Sequence, residues 1–246
     1  MAAAGLDVLI ANSRGPQSLT GIGGMAHLHP ATLQEAGQAE IVILTVPWRA
    51  VGSVLGAMPE WNNRILIDAT NAVDFLSPCS PDATDPANPL GPMGLKAVEL
   101  GEPASSALVA ELAPGAGVVK TFNHVEPAAV GQPKTDAGRL VVFLAGDDSD
   151  ARSQVAGLLH SIGLFPVDLG RLAVGGPLIA FPGGSLLGWT WSSRRDRDQV
   201  KRCGLRMSRG PHRSFLERHS AREASATSAV STNCSNRTMS PPRTMK

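Results

Sequence analysis

No window of the 246 residues approaches 18 uninterrupted apolar residues, so no membrane-spanning helix is expected. Met1–Leu6 has neither a basic lead nor a long apolar stretch, so no secretory signal is expected. Cysteine is scarce: Cys79, Cys203 and Cys234 are odd in number and far apart. They fit neither a disulfide framework nor a paired metal site, and they point to a reducing, cytoplasmic setting. His27, His29, His160, His212 and His219 form no ligand cluster, no Ser-His-Asp or zinc spacing stands out, and G-x-S-x-G is absent. The expectation is therefore no metal and no side-chain nucleophile.

Apolar residues and acidic charge both run out near the carboxyl end. Residues 1–191 hold 9 Lys and Arg against 17 Asp and Glu, whereas residues 192–246 hold 13 against 4. In that last stretch only Val200, Leu205, Phe215, Leu216 and Val230 are Leu, Ile, Val or Phe. A segment so charged cannot offset its chain entropy by burial. The sequence divides near Gly188, into a folded part at 1–188 and a basic, disordered tail at 189–246. The tail has one aromatic residue after Trp191, too few for base stacking, so no specific nucleic-acid partner is expected.

The folded part alternates two kinds of segment. Strand-like apolar runs are Leu6–Ala11, Ile41–Val46, Ile65–Ile67, Val118–Val119 with Thr121–Phe122, and Leu140–Ala145. They are continuously apolar, the pattern of parallel strands covered on both faces. Helix-like segments are Ala31–Ala39, Pro47–Met58, Ala104–Leu112 and Ser149–Ile162. The last has Asp147 and Asp148 at its start and Gly163 at its end, as helix dipole and C-cap favour. Ser77–Pro92 is proline-rich and reads as an irregular loop. The alternation predicts an α/β fold, a Rossmann-like doubly wound parallel sheet.

Ligands bind such sheets at the carboxyl ends of the strands. Leu6–Ala11 runs into Asn12-Ser13-Arg14. A hydroxyl and a guanidinium at that place suit the 2′-phosphate of NADP, although an ordinary exposed turn uses the same residues. Ile41–Val46 ends in Pro47-Trp48, where Trp48 covers a cofactor ring or packs a helix. Ile65–Ile67 leads to Asn71, and Thr121-Phe122 leads to Asn123-His124. The two asparagines suit a ribose or carboxamide, or cap the turns that follow. Gly21-Ile22-Gly23-Gly24-Met25-Ala26 matches G-x-G-x-x-A. It begins ten residues after the strand and follows the Ser-Arg turn, so it is rejected as a phosphate loop.

With these residues in place, the chain resembles the F420-dependent NADP oxidoreductase family, the NADPH-dependent coenzyme F420 reductases and related dinucleotide-binding reductases. The resemblance lies in Val8–Pro16, Ile41–Arg49, Ile65–Asn71, Val118–His124, Val141–Asp148, Gly163–Arg171 and Phe181–Gly184, in order over about 1–188. It implies NADP as cofactor and hydride transfer to or from a small deazaflavin, coenzyme F420, lying against the nicotinamide. Carried over by position, Asn12, Ser13 and Arg14 hold the 2′-phosphate end. Val46, Pro47 and Trp48 line the cleft. Asn71, Phe122, Asn123 and His124 lie near the nicotinamide. Catalysis is then positioning, with no catalytic acid or base. Family members often dimerise, so a homodimer is the implied assembly.

Two departures qualify the resemblance. Met1–Gly5 corresponds to the end of the family's first helix, so the first strand and the Gly-rich loop are expected to be lacking. After Gly188 the family's closing helical segment gives way to Arg- and Ser-rich sequence, as a frameshift would produce. The expected enzyme is therefore impaired. The alternatives are a non-catalytic Rossmann module, or a related reductase acting on pyrroline-5-carboxylate or a ferric chelate.

Overall fold

The computed structural model describes residues 1–22, 24–77, 79–101, 105–135, 138–187 and 192–193. The expected tail therefore lies outside the described residues, except Ser192 and Ser193. In chain order the strands are β1 (Val8–Ile10), β2 (Leu28–Pro30), β3 (Ile41–Leu44), β4 (Ile65–Asp68), β5 (Val73–Phe75), β6 (Leu95–Ala97), β7 (Gly117–Lys120), β8 (Lys134–Thr135), β9 (Gly138–Gly146), β10 (Phe165–Asp168) and β11 (Ser192–Ser193). The helices are α1 (Leu33–Gly37), α2 (Val51–Gly56), α3 (Ser105–Leu112), α4 (Pro127–Val130), α5 (Ser149–Ser161) and α6 (Leu172–Ile179).

The main sheet has the order β10-β9-β7-β4-β3, with β8 and β11 on β9. Strands β3, β4 and β7 are mutually parallel, and Asp68 stands opposite Lys120 in the register. This is the α/β, mostly parallel arrangement that the alternation predicts. One orientation differs: β9 runs antiparallel to β7, with β10 parallel to β9. A continuous apolar run reports burial on both faces, not strand direction, and β9 is buried from Leu140 to Gly146.

Successive strand residues face opposite sides, and each side is covered by helices. Val42, Leu44, Leu66 and Val118 meet Val51 and Leu55 of α2, Val109 of α3 and Leu172 of α6. Ile65, Ile67, Val119, Val142 and Leu144 meet Ala151, Val155 and Leu159 of α5. Each fully buried Leu or Val contributes roughly 1.5–3 kcal/mol relative to exposure. Helix α5 starts as its sequence requires: the Asp148 carboxylate accepts from the N–H groups of Asp150 and Ala151. Gly163 follows at φ 93°, a conformation that favours glycine.

Strands β1 and β2 pair in parallel with each other as a separate two-stranded sheet. Strand β3 is thus an edge of the main sheet. Its Ile41 and Ile43 are only half-buried, whereas every residue of β4 is buried.

Asp74–Ala97 forms a compact unit of its own. Within it, the irregular loop expected at Ser77–Pro92 contains two 3-10 turns, Pro81–Ala83 and Gly91–Met93. The Asn88 amide donates to the carbonyls of Asp82 and Leu95, which ties the loop together. Cys79 is disulfide-bonded. The sequence reading expected no disulfide framework, but wide spacing in sequence does not limit approach in space.

Candidate functional site

The parallel strands β3, β4 and β7 end on the same edge of the sheet, and Val46–Trp48, Asn71 and Phe122–His124 follow those ends. Beneath this edge lies a buried ion pair. Asp68 is fully buried and Lys120 is 1% exposed. The Lys120 Nζ donates to Asp68 Oδ2 at 3.1 Å and to the Thr70 carbonyl at 3.1 Å. Ser106 Oγ donates to the same carboxylate oxygen at 2.9 Å. The other oxygen accepts from the Thr70 N–H at 2.9 Å and from its hydroxyl at 2.6 Å. Every oxygen of this buried carboxylate therefore has a partner, as burial of a charge requires. The turn that carries Asn71 is fixed to β7 and α3 by this cluster.

Lys120 and Ser106 escape the sequence reading. A signal was present: a lysine inside Val118-Val119-Lys120-Thr121-Phe122 has no place in an apolar strand unless it is paired.

Past β7 the backbone turns sharply. Phe122 sits at φ 66°, which is uncommon for a residue other than glycine. The turn removes backbone partners from β9, and side chains replace them. Thr121 Oγ1 donates to the Phe143 carbonyl at 2.8 Å, and the Phe143 N–H donates to His124 Nε2 at 3.1 Å. The His124 ring packs on Phe143 with centroids 5.6 Å apart. His124 is 8% exposed. Burial, with the nearby Lys120 ammonium, pushes its pKa down from 6.5 to about 4. It is a neutral, engaged imidazole at pH 7, not a free acid.

Asn71 and Asn123 are brought face to face. Asn71 Nδ2 donates to the Asn123 carbonyl at 3.0 Å, and Asn123 Nδ2 donates to Asn71 Oδ1 at 3.1 Å. Asn123 Nδ2 also donates to the Ile179 carbonyl at the end of α6, 2.6 Å away. Both are half-buried.

Val46 and Trp48 are half-buried and pack against the core on the α2 side, while Pro47 is exposed. Asn12–Arg14 follow β1 in the smaller sheet. The Asn12 side chain accepts from the Arg14 N–H at 2.9 Å and holds Ser18 Oγ, while Ser13 and Arg14 are exposed. The rejected glycine match begins at the end of a 3-10 helix, Pro16–Ile22, and runs towards strand β2 rather than a helix. A cavity of about 640 Å³, lined by Leu55, Met58, Trp61, Leu112 and Pro114 among others, shares no residue with the asparagine cluster. Among the described residues no group of three or more His, Cys, Asp or Glu could hold a metal, and no helix is long and apolar enough to cross a membrane.

Comparison with known proteins agrees with this architecture. A family model described as "NADP oxidoreductase coenzyme F420-dependent" matches residues 1–72. A hypothetical protein from Sinorhizobium meliloti, solved by crystallography, is 37% identical, with 78% of this chain and 87% of that one covered and a TM-score of 0.67. A provisionally assigned F420-dependent NADP reductase from Arthrobacter sp. FB24 is 24% identical, covers 70% and 79%, and superposes with a TM-score of 0.56. The latter likeness concerns the fold. Over residues 1–72 the chain matches the family of coenzyme F420-dependent NADP oxidoreductases, and its α/β fold is Rossmann-like.

Proposed function

We propose that this chain binds NADP(H) along the carboxyl edge of β3, β4 and β7 and serves hydride transfer between the nicotinamide and a deazaflavin such as coenzyme F420. The observation that carries the reading is the facing pair Asn71 and Asn123 at the ends of β4 and β7. One N–H of Asn71 and acceptor capacity on Asn123 Oδ1 remain unspent, and a carboxamide needs one acceptor and one donor. At the far end, the exposed Arg14 guanidinium makes no ion pair with a described residue. It fits the 2′-phosphate that separates NADP from NAD.

NADP, when bound, supplies the hydride. The chain's own part is to hold the ring, exclude water and align it, with no protein acid required. The pyrophosphate is less well provided for. No glycine-rich turn joins a strand to a helix among the described residues, so NADPH affinity is expected to be low, with a Kd of about 1 mM or weaker. The test is titration with NADPH and NADH. We expect NADPH to bind about tenfold more tightly, and Arg14→Ser to erase the preference without changing NADH binding. Equal affinity for the two in the wild type would remove the 2′-phosphate role, and submillimolar NADPH binding would contradict the impaired cradle.

A second reading is favoured by one observation. The half-exposed Ile41 and Ile43 lie on strand β3, whose outer edge pairs with no described strand and offers a ladder to another chain. A non-catalytic module that associates through this edge would sediment as a concentration-dependent oligomer, and Ile43→Lys would return it to monomer. A monomer at every concentration would eliminate this reading.

A further inference from the structure

The histidine beside the asparagine pair has a fixed proton. A backbone N–H can only donate, so the Phe143 N–H requires His124 Nε2 to be bare. In the neutral ring the proton then belongs to Nδ1. That nitrogen lies 3.4 Å from Asn123 Oδ1. The Asn123 amide is thereby oriented from both ends. Its oxygen faces a ring donor, and its NH2 faces two acceptors, Asn71 Oδ1 and the Ile179 carbonyl.

We propose that His124 is a positioning residue, locked as the Nδ1–H tautomer by β9, which sets the orientation of the Asn123 amide and through it the Asn71 amide. The purpose of that lock rests on the nicotinamide reading above: a flipped Asn123 would present a donor where the carboxamide needs an acceptor. Several features converge on it. Phe122 at φ 66° turns the chain after β7, so that the Asn123 side chain meets Asn71 while the His124 ring meets β9. Thr121 and His124 together satisfy both backbone groups of Phe143, so the ring is held against β9 and cannot turn. Lys120, paired with Asp68, is the charged group that acts on the ring. It is cationic and disfavours a second ring proton. The ring therefore stays a one-donor, one-acceptor link at neutral pH.

The experiment is 15N-resolved NMR of the His124 ring and the Asn123 side-chain amide in the full chain, wild type and His124→Gln. We expect a protonated Nδ1, a bare Nε2 and a slowly exchanging Asn123 amide. In His124→Gln the Oε1 can still accept from Phe143, but glutamine has only a CH2 where the ring carries Nδ1, so it has no donor at the position that faces Asn123. The Asn123 amide should then exchange about tenfold faster, and NADPH affinity should fall by about tenfold, while the melting temperature at pH 7 stays close to wild type. A purely structural histidine would lower the melting temperature and leave the amide alone. A proton on Nε2, or unchanged Asn123 exchange in the variant, overturns the lock. If the NMR signatures hold but wild type and variant bind NADPH alike, the lock stands and its nicotinamide purpose falls.

Discussion

Lys120→Met is expected to lower the unfolding free energy by about 3–5 kcal/mol, because it leaves the Asp68 carboxylate as a buried charge without its cation. A domain of this kind has roughly 5–15 kcal/mol in all, so the loss is a large share. Methionine fills much the same volume, so the effect is electrostatic and not a cavity. The double variant Asp68→Asn, Lys120→Met is expected to recover most of it. The introduced amide would accept from Thr70 through its oxygen and donate to Ser106 Oγ through its NH2, and no charge would remain buried. The check is a guanidinium melt of wild type, both single variants and the double. A Lys120→Met cost below about 1 kcal/mol would mean that the pair is hydrated and not buried as described.

The second large effect is acid lability through His124. Its folded pKa, about 4, lies below the ordinary 6.5. Between those values the unfolded chain binds the proton and the folded chain does not, so stability rises with pH across that window. The contribution is whole above about pH 6.5 and is lost as pH falls to about 4. The difference corresponds to roughly 3 kcal/mol. The cause is burial of the ring first, with the Lys120 ammonium adding to it. Carboxylates also weaken proteins in acid, so the measurement must be differential. Unfolding free energies of wild type and His124→Gln, close at pH 7, should separate as pH drops from 6.5 to 4, the wild type losing stability and the variant being the flatter. Parallel curves would show that His124 does not titrate in that window.

Much of the fold is legible in the sequence, and the reasons are local. Ile65–Asp68 and Leu140–Gly146 are apolar with almost no interruption, which only burial on both faces tolerates. Ser149–Ser161 carries its cap and its stop in the residues at its ends. The short strands Leu28–Pro30 and Phe165–Asp168 were not legible. Each holds a proline and is three or four residues long, too little for periodicity to register.

The site divides in the same way. The sequence by itself determined which residues follow strand ends: Asn71 and Asn123 are read directly from small polar residues after apolar runs. It also determined the Ser13-Arg14 turn and the continuous apolar core. Only the tertiary structure decided that Asn71 and Asn123 meet, since 52 residues separate them and nothing local links two loops. Only it decided that Lys120 answers Asp68, for that pairing exists through the β4–β7 register. It also decided the direction of β9 and the protonated nitrogen of His124. Apolar pattern reports how deeply a segment is buried, whereas direction, partner and proton depend on which strand comes to lie alongside.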